Sequence, residues 1–200
     1  MGGDEYPDSL GFLRVASAFH DWLNHRDLHA PLQGLSFVAD RNLRRVLNRL
    51  RVITSGSWYG NDTCWRMAVD LARIVHNADS HGVMHETPQR RHLMLFDGVV
   101  AGEGQGPLTP TPVNAGTLLF SDDIVAGDRV ASRLMGFDPD RISMLRELTR
   151  PMPYPIYAPD RGAATVTLNG RQVEASAVAG AVGRAFREPR GWVSHLKPAG

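Results

Sequence analysis

The stretch Arg91–Pro112, R-H-L-M-L-F-D-G-V-V-A-G-E-G-Q-G-P-L-T-P-T-P, decides how the rest of the chain is read. It begins as an apolar strand, with His92, Met94 and Phe96 pointing one way and Leu93, Leu95 and Val99 the other. Apolar residues on both faces predict a central strand covered on both sides. The strand then breaks into Gly102, Gly104 and Gly106, with Glu103 and Gln105 between them, and Pro107, Pro110 and Pro112 close the segment. A strand that ends in a glycine-rich turn carrying a carboxylate is where an open α/β sheet places its ligand. The expected fold is therefore α/β, an open, mainly parallel sheet with flanking helices.

Upstream of this strand, helices are expected over residues 9–24 and again after Asp40. The second carries Arg41, Arg44, Arg45, Arg49 and Arg51 on one side; with no interleaved aromatic side chains, these read as a solvated face rather than a nucleic-acid surface. His25 and His29 have a metal-compatible spacing, but Pro31 and the polar context favour a loop. The stretch 54–63, T-S-G-S-W-Y-G-N-D-T, combines Trp58 and Tyr59 with small residues, and Asn61 or Asp62 can cap the following helix. That helix runs to about Asn77, with Trp65, Ala68, Leu71, Ala72 and Val75 as its buried stripe. Its polar face, Asp62, Arg66, Asp70 and Arg73, reads either as a surface ladder or as a wall turned toward a site.

Downstream, Gly116 to Phe120 reads as a second buried strand. Ser121 or Asp122 caps a helix that Gly136 terminates. Ile124, Ala131, Leu134 and Met135 face inward and Arg129 and Arg133 outward. Asp128 falls inside the apolar stripe, where a carboxylate needs a partner. Asp138-Pro139 opens a short helix. Pro151, Pro153, Pro155 and Pro159 form a connector, and Asn169-Gly170 marks a tight hairpin between residues 164 and 175. A last helix over 177–187 and a mobile tail from Pro189 complete the reading, which divides the chain into an α/β domain, 1–150, and an appendage, 151–200.

Composition excludes several classes. The chain has 200 residues and a formal net charge of +1, so it is not built to coat nucleic acid or an anionic membrane. No apolar run approaches the ~20 residues of a membrane span, and the first residues, M-G-G-D-E-Y-P, lack the pattern of a signal peptide. Cys64 stands alone, which rules out an intrachain disulfide and a self-contained iron–sulfur cluster. A cytoplasmic location is the expectation.

Three motifs carry a resemblance: S-G-S-W-Y-G-N-D-T-C-W-R, D-G-V-V-A-G-E-G-Q-G-P-L and G-D-R-V-A-S-R-L-M-G-F-D. In this order they resemble the bacterial family of uncharacterised proteins called domain of unknown function 362, over roughly residues 1–148. Members of that family are typically longer, so the chain resembles a C-terminal half. The resemblance implies no established chemistry.

Two functional readings follow. In the first, the chain is an enzyme, or half of one, with a polar ligand or divalent cation at the glycine turn. Asp97, Glu103, Asp62 and Asp128 are the expected metal ligands. Trp58, Tyr59, Asn61, Arg66, Gly102, Gly104 and Gly106 are the expected ligand-binding residues. Oxygen donors suit Mg²⁺ or Ca²⁺, and the glycine turn and the 54–63 loop are expected to line one pocket. In the second, it is a non-catalytic binding module or half-domain that self-associates or needs a polypeptide supplying the missing half.

Overall fold

A computed structural model describes residues 56–106, 109–157 and 165–197. The chain divides into two units, residues 1–63 and residues 64–200. The helices expected over 9–24 and after Asp40, and the His25/His29 pair, lie outside the described residues.

The second unit runs α1 (Cys64–Asn77), β1 (Met94–Gln105), β2 (Thr109–Ser121), α2 (Ile124–Leu134), a 3-10 turn (Pro139–Arg141), α3 (Ser143–Leu148), β3 (Thr165–Leu168), β4 (Arg171–Glu174) and a second 3-10 turn (Ala175–Val178). The class is mixed α/β, but the expected open parallel sheet is not what forms. The described strands make two antiparallel two-stranded sheets, β1–β2 and β3–β4. The cause is the length of one connection. Only residues 106–108 separate β1 from β2, and a parallel return needs a crossover of about a dozen residues or more. Gly102 and Gly104, read as a turn, stay in the ladder opposite Pro112 and Pro110. At Gly102 a Cβ would lie 2.8 Å from the Pro110 ring, so a larger residue would push the strands apart. The two prolines are tolerated because β2 is an edge strand.

The register shifts between Gly98 and Val100: β1 advances two residues while β2 advances three, from Thr117 to Asn114, so Ala115 and Gly116 bulge opposite Val99. At this irregularity the alternation of faces along β1 inverts, with Val99 and Val100 both exposed. Met94, Phe96 and Gly98 are half-buried before it, and Ala101 and Glu103 face the interior after it. Leu93, Leu95, Leu118 and Phe120 are exposed. Among the described residues, the strand expected to be covered on both sides is thus packed on one.

α2 lies over the inner face. At Gly127 a Cβ would overlap Met94 Cε and lie 3.0 Å from Ser121 Cβ, so helix and hairpin approach closely there. Its N-cap is Asp123, one residue beyond the expected pair. Asp123 Oδ1 accepts from the Val125 and Ala126 N–H groups, both at 2.9 Å. Val125, Gly127, Val130, Ser132 and Leu134 are its buried positions. Arg129, expected to face outward, is mostly buried and pairs with Asp140 at 2.8 Å.

Three apolar clusters surround this helix. Val69, Val125, Leu148 and Ile156 form one, with Trp65 and Ala72 of α1 packed against it. Val113, Phe137, Phe186 and Leu196 form the second, and Val130, Leu134 and Val178 the third, with Val166 and Val173 of the small hairpin against it. Residues beyond 150 therefore complete the core. The segment from Pro189, read as a mobile tail, buries Leu196, and the Glu188 carboxylate accepts from the Ser194 and Leu196 N–H groups at 3.0 Å each. No α-helix forms over 177–187; Gly180 and Gly183 both take positive φ, 84° and 78°, which helical backbone forbids. α1 also departs in phase. Val69 is buried, while Ala68, Leu71 and Val75 are exposed. The helix is apolar on two sides, and contacts from the proline-rich segment select which one is covered. Among the described residues, no helix is long and apolar enough to cross a membrane.

Candidate ligand site

The glycine-rich end of the hairpin is built around Glu103. Its side chain is 5% exposed and contacts two arginines from the C-terminal segment. Arg184 Nη2 donates to Oε2 at 2.7 Å, Arg187 Nε to Oε1 at 3.0 Å, and the Arg187 N–H to Oε2 at 2.9 Å. Gly104 N–H donates to the Arg187 carbonyl at 3.1 Å, and the Arg190 N–H to Gln105 Oε1 at 2.7 Å. The Arg187 backbone N–H, then the two guanidinium groups, hold the Glu103 carboxyl below the usual carboxylate range against the opposing effect of burial. This acid is charge-compensated by the protein itself, and it ties the C-terminal segment to the hairpin.

Within the described second unit, no other expected site residue contacts the Glu103 carboxylate. Asp97 is exposed on the outer face, where its Oδ1 accepts from the Val99 N–H at 3.2 Å. It stands six positions before Glu103, about 20 Å along an extended strand, and the bulge sends the two side chains to opposite faces. Arg66 is exposed, its guanidinium 4.6 Å over the Trp65 ring. Gly106 closes the turn, donating to the Gly104 carbonyl at 3.0 Å. Trp58, Tyr59, Asn61 and Asp62 belong to the first unit. There Asn61 is buried, and its Oδ1 accepts from the Thr63 N–H at 3.2 Å. Tyr59 and Asp62 are exposed, and the Trp58 ring fills the space where a Cβ on Gly60 would sit. Among the described residues, no group of three or more His, Cys, Asp or Glu side chains is placed to hold a metal ion.

Asp128 is half-buried rather than fully buried, and among the described residues no donor reaches its carboxylate. Burial alone raises its pKa above the ordinary value. A raised carboxylate pKa favours the protonated native form, so native stability falls as pH rises from the unfolded value through the folded one. Asp128→Asn is expected to raise the thermal midpoint modestly at pH 7, with the gain vanishing at acid pH. Melting curves across pH check it, and a gain independent of pH would show that the cause is not ionisation.

A cleft of about 500 Å³ opens elsewhere in the second unit, between the end of α1, residues 86–92, the start of α2 and residues 155–157. Its walls are pinned locally. Arg90 Nη1 donates to the carbonyls of Val75 and Ala78, both at 2.7 Å, capping the C-terminus of α1. Asp79 Oδ1 accepts from the His81 and Val83 N–H groups, and its Oδ2 lies 3.0 Å from His85 Nε2, which fixes the preceding loop. Within the cleft wall the His76 and His92 rings stack, centroids 4.6 Å apart and 15° from parallel. His76 Nδ1 and His92 Nε2 are shielded from water and unpaired among the described residues. Burial first, then the neighbouring His92, lowers the His76 pKa, and Asp123 opposes both. Arg91 and Asp122 are exposed lining residues of opposite charge. Sequence reasoning does not single out either histidine as a site residue. They stand sixteen positions apart with no motif spacing, and only the return of residues 79–92 against α1 joins them.

No curated protein and no solved structure matches the chain. Residues 19–133 match the model of the family described as domain of unknown function (DUF362), which is more than half of the 200 residues, and the chain belongs to that family.

Proposed function

We propose that the chain is a non-catalytic binding module for a small polar ligand, and that the ligand sits in the cleft beside His76 and His92. The stacked imidazole pair carries the reading. Both rings belong to the lining of one cleft, beside the side chains of Arg91 and Asp122. The volume suits a small molecule. A neutral imidazole offers one donor and one acceptor, Arg91 supplies a cation and Asp122 an anion. That set of groups fits a zwitterion of amino-acid size.

The test is thermal denaturation at pH 7.5 against the twenty free amino acids. At a hundredfold excess over Kd a bound ligand stabilises by about 2.7 kcal/mol, a midpoint shift of roughly 5–10 °C for a chain of this size. His92→Ala is expected to abolish that shift. If no amino acid moves the wild-type midpoint, or if His92→Ala responds equally, the zwitterion reading fails. The depressed His76 pKa sets a second readout. Stability linked to His76 is present above its unfolded value of 6.5 and is lost as pH falls toward the folded value. Wild type is therefore expected to lose stability below pH 6.5 more steeply than His76→Gln, measured by urea denaturation.

A divalent cation at the glycine-rich end is the second reading carried by the motif. It has less geometric support, since a cation at Glu103 would have to displace two guanidinium groups.

A further inference from the structure

Among the described residues, the outer face of the β1–β2 hairpin is apolar and uncovered. Leu93, Leu95, Leu118 and Phe120 are 65%, 70%, 66% and 63% exposed. Leu95 stands directly opposite Phe120, and Leu118 opposite Asp97, so these side chains share one face of the ribbon. At the bulge, Val99 and Val100 are also exposed. Together they form one contiguous apolar patch, of the kind that monomers rarely leave bare.

We propose that this face is a homodimer interface, on which a second copy of the chain stacks the same face, sheet against sheet. Three observations favour a second copy over a different partner. First, the face carries one charge, Asp97, whose Oδ1 is already engaged by the Val99 N–H; it offers no charge pattern for a distinct partner to complement. Second, a formal net charge of +1 leaves little repulsion between copies. Third, the far end of the hairpin resists lateral growth. Pro110 and Pro112 lack the N–H groups that an added strand would need, and Gly104 is already bonded to Arg187. A two-fold stack of identical faces then closes as a dimer instead of propagating.

Light scattering of the full-length chain after size-exclusion chromatography, from low concentration up to about 100 µM, tests this. The expected mass is twice that of one chain and falls on dilution. Leu95→Arg with Leu118→Arg is expected to give a monomer with unchanged far-ultraviolet circular dichroism. Leu118→Asn, which keeps the side-chain size, is expected to weaken the dimer by roughly tenfold or more, so the proposal stays testable if the double variant fails to fold. Val83→Arg, exposed outside the hairpin, is expected to leave the dimer intact. A wild-type monomer throughout the range, a dimer indifferent to Leu118→Asn, or a mass increase that requires a second polypeptide would each overturn it.

Discussion

Gly136→Val is expected to destabilise the chain by about 3 kcal/mol or more, with a midpoint roughly 6–12 °C lower. Gly136 follows the Met135 cap of α2 with φ 79°. It donates to the Arg133 carbonyl at 2.9 Å, and the Phe137 N–H donates to the Ser132 carbonyl at 2.9 Å, the paired bonds of a Schellman termination. That conformation costs an ordinary residue about 1–2 kcal/mol, and a β-branched one more. Space adds a second cost. A Cβ here would lie 2.8 Å from Ala185 Cβ and 3.1 Å from Ala185 Cα. The neighbour includes backbone, and that backbone is fixed by the bond from the Phe186 N–H to the Met135 carbonyl at 2.9 Å. Overpacking of this kind costs about 1–3 kcal/mol. The two costs separate experimentally. Gly136→Ala keeps both in reduced form, and Ala185→Gly added to it is expected to recover the steric part only. A loss below about 1 kcal/mol for Gly136→Val in urea denaturation would mean that the segment carrying Ala185 is not held against α2.

Local structure is legible in the sequence where one residue type answers one backbone need. Gly136 ends its helix as expected. Asn169 and Gly170 both take positive φ, 49° and 81°, between β3 and β4, the geometry that a two-residue hairpin turn requires. The helix ending at Asn77 and the strand through Phe96 are also legible from periodicity. What the sequence does not disclose depends on distant partners. The apolar run from Leu93 to Val100 is compatible with a buried central strand and with a ribbon whose outer face is bare, because periodicity records composition and not what lies opposite. The bulge holds Gly116 at φ 60° opposite Val99, but a glycine in a strand does not disclose that Asp97 and Glu103 end on opposite faces. The same limit explains the tail. Arg184 and Arg187 give no sequence sign that they answer a carboxylate more than eighty positions earlier. The cleft histidines are illegible for the same reason.

Glu103→Gln separates the two accounts of the glycine-rich end most sharply, and it is expected to release the C-terminal segment. Oε2 accepts from the Arg184 guanidinium and the Arg187 N–H, and Oε1 from Arg187 Nε. A glutamine must place its NH₂ at one of these positions, so in either orientation donors face donors, and both arginines lose their counter-charge. The carboxyl is buried, so water cannot replace the lost partner without loosening the contact. The segment it anchors carries Phe186 and Leu196, two of the four buried members of the cluster around Val113. At pH 7 the variant should therefore melt at a lower temperature than wild type, and trypsin should cut it after Arg184 and Arg187 while wild type remains protected. The pH dependence has a definite sign. The folded pKa of Glu103 is depressed, so its contribution is present above the unfolded value of 4.5 and disappears as pH falls through the folded value. The difference between the proteins should accordingly shrink in acid. If instead the variant melts and resists trypsin like wild type at pH 7, and differs only in losing Mg²⁺ or Ca²⁺ binding by calorimetry, Glu103 serves a cation and the clamp assigned to it here is wrong.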